Sequence, residues 1–502
     1  MKASKKIELL RNHKVVKHLL ELYIENFGDT DVHVFRIPAR VNILGTHIDH
    51  RGGYVNYLSI NREFCCIAGK RDDRKIKFHD ANKQLYAPGE FEIDRELPDS
   101  QVEWFDFIRR VKLIPGEYQN YIKAAVLYLQ NTFPQKKLCG MNLVGYGEIP
   151  VGAGLSSSSA LVVGVMLSAC RLNNISIEKG RLAEMCGQAE WYVGTRGGSG
   201  DHAAMIFGRE NKIAHMQLSP FSVKFLPFPP DYRIISCNSL IEAKKSAGAK
   251  DIFNSRITSY EIGFRLVKKN FPSLAPKLTY LRDINPQNLG NESIIYDILL
   301  SLPESLSRKE AMQYLPGENL DFLFESHVEP QKGYKIRDVV LYGISECERS
   351  RICEKFLRDN DMDSFGKLMF ISHDGDRVSQ HLPNGEKYQW DFRVSNEYLT
   401  GLKEDINSGC SLRKEKATLY NQPGAYRCST EELDLIVDIA KNIRGVKGAK
   451  LTGAGLGGSV LILVEKDQTE RVIDILDEKY YKPKGFLPSA FVCKSVNGAE
   501  EI

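Results

Sequence analysis

The chain has 502 residues, of which 42% are hydrophobic and 26% charged, and a formal net charge of +4. This apolar share supports a large core and excludes a disordered chain, a collagen and a disulfide scaffold. With 68 basic against 64 acidic residues there is no bulk attraction to nucleic acid or to a membrane surface, and length alone predicts two or three domains.

Residues 5–27 are predicted as one amphipathic helix, with Leu9, Leu10, Val16, Leu19, Leu20 and Tyr23 at helical spacing and Gly28 as its stop. Short strands are expected at 32–37, 55–60, 64–68 and 75–78. A helix at 118–133, a strand at 141–146, a Gly/Ser loop, an apolar helix at 158–172 and a more polar helix at 177–192 follow. The stretch 220–230, PFSVKFLPFPP, holds four prolines and reads as a linker or edge segment. A domain boundary is placed there, dividing 1–225 from 226–502. Beyond it come a strand at 233–238 and helical patterns over 254–372. Residues 373–427 are polar and irregular, and read as an insertion or long surface excursion, mainly 375–425. A helix at 431–443, a glycine loop and strand over 451–464, a helix at 467–481 and a strand at 490–496 complete the chain. Strands and helices mix without a βαβ rhythm, which predicts an α+β fold.

The longest apolar run, ALVVGVMLSA at 160–169, is about half the ~20 residues a bilayer helix needs. The N-terminus is basic and then amphipathic, without a signal-peptide core. Eleven cysteines occur, an odd number, with no C-x-x-C; Cys65 and Cys66 are adjacent, and Cys347 and Cys353 share one predicted helix. This argues against a zinc site or disulfide framework and predicts reduced thiols in the cytoplasm.

Three segments carry chemistry. Residues 145–160, GYGEIPVGAGLSSSSA, set a glycine-rich turn and serines at the start of an apolar helix. Converging backbone N–H groups and a helix N-terminus suit a phosphate. No G-x-x-x-x-G-K-[ST] occurs, so a Walker loop is excluded; a Ser-capped helix after a turn is the plain alternative. Residues 37–53, IPARVNILGTHIDHRGG, gather Arg40, His47, Asp49, His50 and Arg51 beside a Gly-Gly turn. Such a cluster suits a polyhydroxylated ligand; a solvated turn with an ion pair is the alternative. Residues 451–459, LTGAGLGGS, put small residues before an apolar strand and permit close backbone approach. That loop precedes a strand instead of opening a helix, so a dinucleotide-binding reading fails. Glu190 and Asp201, in AEWYVGTRGGSGDH, are candidates for holding a metal and a substrate proton, although each alone could be a surface carboxylate.

In this order, the three segments resemble the GHMP small-molecule kinases, and in detail the galactokinase branch with its yeast-type galactokinases and N-acetylgalactosamine kinases. RVNILGTHIDHRGG is similar to the branch's sugar signature, PVGAGLSSSSA to its phosphate loop and LTGAGLGGS to its third motif. The run YVGT, the Glu190–Asp201 spacing and NSLIEAKKSAGAKDIFNSR are similar too. The resemblance covers most of the chain and is weakest in 270–335 and 375–425.

The resemblance implies a two-lobed α+β GHMP kinase fold with its active site in the cleft between lobes, and transfer of the ATP γ-phosphoryl group to the anomeric hydroxyl of a sugar. It assigns Asp201 to the C1 hydroxyl and Arg40 as its cationic partner. Gly152, Ala153, Gly154, Leu155, Ser156, Ser157 and Ser158 match the ATP-binding loop, and Ser158 with Glu190 the Mg²⁺ positions. Thr46, His47, Asp49, Arg51 and Phe253 fall in sugar-pocket segments, as does Asn238. Gly453, Gly455, Gly457 and Gly458 match the third motif, and the adenine pocket is expected from 60–110. The implied partners are ATP, Mg²⁺ and a small sugar, with no nucleic acid, no membrane and a monomeric state.

Two departures bear on the substrate. The branch carries a Glu immediately before the signature His, where this chain has Thr46, and a pocket Tyr where it has Phe253. Loss of the carboxylate removes repulsion against an acidic sugar, for which Arg51 could supply a partner. Galactose or a galacto-configured relative is therefore the expected substrate. A uronic acid is the rival, followed by a sugar without a C6 hydroxyl such as arabinose. A non-catalytic sugar sensor is the alternative of another class, disfavoured by the full-length GLSSSSA loop. A GHMP kinase for mevalonate or homoserine is weaker still.

Overall fold

The computed structural model describes residues 1–502 except Ser100, Pro115, Thr195, Arg196 and 242–246, and gives Ala247 its backbone only. Thr195 of YVGT and residues 242–246 of the NSLIEAKKSAGAKDIFNSR segment thus lie outside the described residues.

Two sheets organise the chain. The larger has eight strands, six of them in the order Glu500–Glu501, Val32–Leu44, Tyr54–Arg71, Gly140–Gly147, Lys75–Asp80 and Gly89–Glu92. Lys212–Leu218 pairs with the other end of Tyr54–Arg71, and Phe221–Pro227 pairs with Lys212–Leu218 alone, as an edge strand. Pairing is antiparallel except between Lys75–Asp80 and Gly140–Gly147. The second sheet has the order Val446–Thr452, Ser459–Glu465, Tyr232–Asn238 and Ala490–Cys493.

Helix Ser157–Leu172 lies at the centre. Eleven of its residues are buried, from Ser159 to Cys170. A helix apolar on nearly all sides must be surrounded, and this one packs between strands Val32–Leu44 and Tyr54–Arg71 and helix Tyr118–Thr132. Each fully buried Val, Leu or Met contributes about 1.5–3 kcal/mol relative to exposure, so the position of this helix, and of its N-terminus, is fixed by packing.

Three sequence expectations are corrected. Residues 5–27 form two helices, Ala3–Leu9 and Lys14–Phe27, with a turn between them. Leu9 is 68% exposed, so the apolar stripe does not run through the join. The expected strands at 55–60 and 64–68 are one continuous strand, Tyr54–Arg71, because it has partners on both sides along its length. Residues 373–427 are surface only in their middle part, where 384–389 and 409–416 are exposed, and are drawn into the core at both ends. Asp376, Tyr426 and Cys428 are fully buried, and helix Asn396–Asn407 packs on helix Glu292–Leu300. Charged pairs draw the segment inward: Arg377 Nη1 donates to Asp438 Oδ2 at 2.9 Å, and the backbone N–H groups of Val378 and Ser379 donate to Asp434 Oδ2.

A second buried charge pair ties the long helix Ile336–Arg358 to the start of the chain. Glu346 and Arg349 are both fully buried and 2.8 Å apart. Glu346 Oε1 also accepts from the backbone N–H of Gly45 at 2.8 Å and of Thr46 at 3.2 Å. Removing one partner of such a pair leaves a buried charge uncompensated. Arg349→Met is therefore expected to cost about 3–5 kcal/mol of stability, measured by urea unfolding. The double variant Glu346→Gln/Arg349→Met should recover part of that loss.

Candidate active site

Arg40 lies in strand Val32–Leu44 and is 3% exposed in its side chain. A buried guanidinium needs partners for its donors, and here nearly every partner is a site element. Nε donates to Asp201 Oδ1 at 2.7 Å and Nη2 to Asp201 Oδ2 at 2.5 Å, a two-pronged pair. Nη1 donates to the carbonyl of Gly154 at 2.6 Å, and Nη2 also reaches Ser156 Oγ. Ser156 Oγ in turn donates to Asp201 Oδ2. Tyr57, on the neighbouring strand, donates its hydroxyl to Asp201 Oδ1 at 3.1 Å. One arginine thus joins the sugar-signature strand, the glycine–serine loop and the first turn of helix Gly200–Phe207.

The surroundings set the charge state of Asp201. Burial alone would raise its pKa; the Arg40 guanidinium and the hydrogen bonds from Arg40 and Ser156 override this and hold it at about 2. Burial, with the charges of Asp201 and Asp49, pushes the Tyr57 phenol well above its usual value, so it stays a donor. Asp201 is 29% exposed in its side chain, enough to meet a ligand.

The loop is shaped for the same purpose. Gly152 and Gly154 have φ of 72° and 74°, and Ser156 turns at φ 60° into helix Ser157–Leu172. The N-terminus of a sixteen-residue buried helix presents backbone N–H groups and partial positive charge to an anion. Ser157 and Ser158 lie in its first turn and are half-buried, whereas Ala153 and Leu155 are buried. The loop rests on the third motif, backbone to backbone: a Cβ on Gly154 would stand 2.5 Å from the Thr452 carbonyl, and one on Gly453 2.7 Å from the Gly154 carbonyl. Ser459 Oγ donates to the Ala153 carbonyl at 2.7 Å. Gly453, Gly455, Gly457 and Gly458 all take positive φ, and Gly458 also abuts Ala153. The third motif therefore buttresses the loop.

Glu190 ends helix Lys179–Glu190. Its Oε2 accepts from Ser159 Oγ at 2.9 Å and lies 2.9 Å from His202 Nε2. It is Ser159, one position beyond Ser158, that touches Glu190 in this structure. A carboxylate beside the hydroxyls of the loop helix offers hard oxygen donors of the kind Mg²⁺ takes. Phe105, from helix Trp104–Arg110, meets Trp191 edge-on at 5.8 Å, next to Glu190.

The sugar-signature residues divide. Asp49 accepts from His50 Nδ1 at 3.0 Å and lies against the glycines before Asp201: a Cβ on Gly198 would stand 2.2 Å from Asp49 Oδ2. Burial raises the Asp49 pKa, but the His50 contact outweighs it and holds the carboxyl low. His47 takes φ 65° and stacks on Tyr426 at 4.3 Å, with Phe253 at 6.4 Å. Its Nε2 has no hydrogen-bond partner and lies 3.5 Å from Asp376 Oδ1. His47, Asp376 and Cys428 put donor atoms within 4.8 Å of one another, but burial holds the Cys428 thiol well up and protonated. Thr46 is 2% exposed, and its Oγ1 receives the fully buried Lys450 ammonium, whose pKa burial lowers against the pull of Glu346 and Asp376. Arg51 is turned away from Asp201 and donates to Glu261 Oε2 at 2.9 Å. Asn238 caps a turn, its Oδ1 accepting from the Leu240 N–H at 3.0 Å.

Tyr57, His202, Glu346, Lys450, Asp376 and Tyr426 were missed by sequence reasoning.

The model of the GHMP kinase N-terminal domain matches residues 120–209, and that of the GHMP kinase C-terminal domain 402–482. The galactokinase galactose-binding signature matches 21–70. Galactokinase of Roseiflexus sp. strain RS-1 is 25% identical over 96% of each chain. Galactokinase of Schizosaccharomyces pombe is 25% identical over 89% of this chain and 86% of its own. The crystal structure of Lactococcus lactis galactokinase complexed with galactose matches 97% of this chain and all of that one, with a TM-score of 0.69 at 21% identity. Arg40, the glycine–serine loop, Asp201 and the third motif all fall inside these matched segments, and the chain carries the N- and C-terminal domains of the GHMP kinases. With the galactose-binding signature it is similar to the galactokinases, and it is a sugar kinase that transfers a phosphoryl group from ATP. Among the described residues no helix is long and apolar enough to cross a membrane.

The depressed Asp201 pKa has a sign. The group is ionised above its ordinary value of 3.8, its stabilising contribution is complete there, and that contribution is lost as pH falls toward about 2. Asp201 therefore sets no acid limb in kcat/KM above pH 3.8. Arg40→Met removes the cation and leaves burial in control, so a limb should move upward in a pH–rate profile of that variant; an unmoved limb contradicts the assignment.

Proposed function

We propose that the chain phosphorylates the anomeric hydroxyl of a galacto-configured sugar. The observation that carries this reading is the Arg40 fork, which holds Asp201 and touches the phosphate loop at Gly154 and Ser156. A sugar hydroxyl at Asp201 and a triphosphate on the loop would then meet across one guanidinium.

Asp201 accepts the hydroxyl proton's hydrogen bond and orients the oxygen. At a pKa of about 2 it is a weak base, which suits a loose transition state where the proton leaves late. Arg40 stabilises charge on the transferring phosphoryl oxygens. The loop N–H groups and Ser157 bind phosphate oxygens, with Phe105 and Trp191 nearest the base. Asp49, His47 and Phe253 line the sugar side. Glu190 with Ser158 and Ser159 would hold Mg²⁺, which when bound neutralises triphosphate charge. All eleven cysteines are free thiols, nine of them buried, in keeping with a cytoplasmic setting.

One observation favours a second reading, galacturonate. Thr46 brings no carboxylate, and the Lys450 ammonium stands directly behind it. Arg51 gives that reading no support, being committed to Glu261. The full-length loop and the intact Asp201–Arg40 pair favour turnover over a sensor.

Sugar-dependent ADP release against galactose, N-acetylgalactosamine, galacturonate, glucuronate and arabinose tests this. Galactose or its N-acetylamino relative is expected to give the highest kcat/KM; preference for galacturonate selects the second reading, and no release with any sugar refutes both. Asp201→Asn and Arg40→Ala should each lower kcat by about 10²–10³-fold with unchanged circular dichroism.

A further inference from the structure

A cavity of about 620 Å³ opens beside the sugar signature. Its volume is that of a small-molecule site. Four separate segments build it: the turn Asp49–Arg51, the last turns of helix Ala247–Asn270, the stretch at 279–281, and Glu318. Arg51, Arg265, Lys268 and Lys269 line it against only Glu261 and Glu318, a net charge of two positive.

The two carboxylates are already committed. Glu261 takes Arg51 Nη1 and Arg265 Nε at 2.9 and 3.1 Å, and Glu318 takes Arg265 Nη1 at 2.7 Å. The lysines have no carboxylate partner among the described residues. Lys268 lies over the Phe264 ring at 4.6 Å, and Lys269 donates to the Tyr314 carbonyl at 2.6 Å. Behind this wall, Arg51 Nε and the Tyr260 hydroxyl are buried with no hydrogen-bond partner among the described residues.

We propose that this cavity binds a small phosphate monoester, a dianion whose charge matches the surplus and whose oxygens accept from the Lys268 and Lys269 ammonium groups. The volume leaves room for a sugar-sized organic part. His50 lines the cavity and donates through Nδ1 to Asp49 Oδ1. Occupancy is therefore one hydrogen bond from the carboxylate that lies beside Asp201, and shifts sugar affinity. The binding claim is independent of the proposed activity; only the effect on the sugar rests on it.

The test is calorimetric titration of the full chain with ribose 5-phosphate and with inorganic phosphate, each with and without a saturating non-hydrolysable ATP analogue. Ribose 5-phosphate binding is expected to persist with the analogue and to weaken about tenfold or more in Lys268→Glu and in Lys269→Glu. Both variants should keep wild-type circular dichroism and sugar-dependent turnover when no ester is present. The ester should shift the sugar KM of the wild type and leave that of the variants unmoved. Binding abolished by the analogue would assign the ester to the phosphate loop and overturn the proposal, as would no binding at millimolar ester or equal binding by the lysine variants. Equal affinity for inorganic phosphate would overturn the ester assignment. An unchanged KM despite binding would overturn the coupling, and a chain that turns over no sugar would leave the binding result to stand by itself.

Discussion

A single buried guanidinium must be satisfied for the rest of this structure to hold. Arg40 has its donors spread over the Asp201 carboxylate, the Gly154 carbonyl and Ser156 Oγ, and almost no access to water. Breaking such a pair from one side leaves a charge in a low-dielectric setting, typically a loss of about 3–5 kcal/mol. The loop conformation and the position of helix Gly200–Phe207 are therefore coupled through one side chain. The same geometry that stabilises the apo chain places a cation and an anion where a phosphoryl group and a hydroxyl would meet.

The glycine motifs complete that arrangement by proximity. Gly154 and Gly453 approach so closely that neither tolerates a Cβ. The loop is thereby fixed between the central apolar helix and strand Val446–Thr452. Preorganised N–H donors cost no reorganisation when charge develops on a ligand, which gives a physical reason for two rigid glycine turns in contact.

Where the composition speaks locally, the fold is legible. The central helix begins at Ser157, one residue from its expected start, because its apolar content admits no other place. The ends of 373–427 were hidden because their charges look like surface, yet Arg377 donates to Asp438, Asp434 accepts from the Ser379 N–H and Asp376 from the Cys428 N–H, all buried and across 52–61 positions. Buried charge is rare unless paired, and pairing is invisible in one dimension. The candidate site was legible through its ordered motifs, which the family comparisons share. The residues around it were not: Thr46 and Lys450 meet from 404 positions apart, and Tyr57 and Asp201 from 144. Arg51, two positions from Asp49, takes its partner Glu261 from 210 positions away, which the sequence does not signal.

The central claim is that Arg40 and Asp201 act as one unit on one reaction. A double-mutant cycle on kcat/KM with Arg40→Met, Asp201→Asn and the double variant measures this directly. Groups that act together give strongly non-additive effects. The double variant is predicted to be no more than a few-fold worse than the worse single variant. Losses that multiply would show two independent contributions and contradict the account.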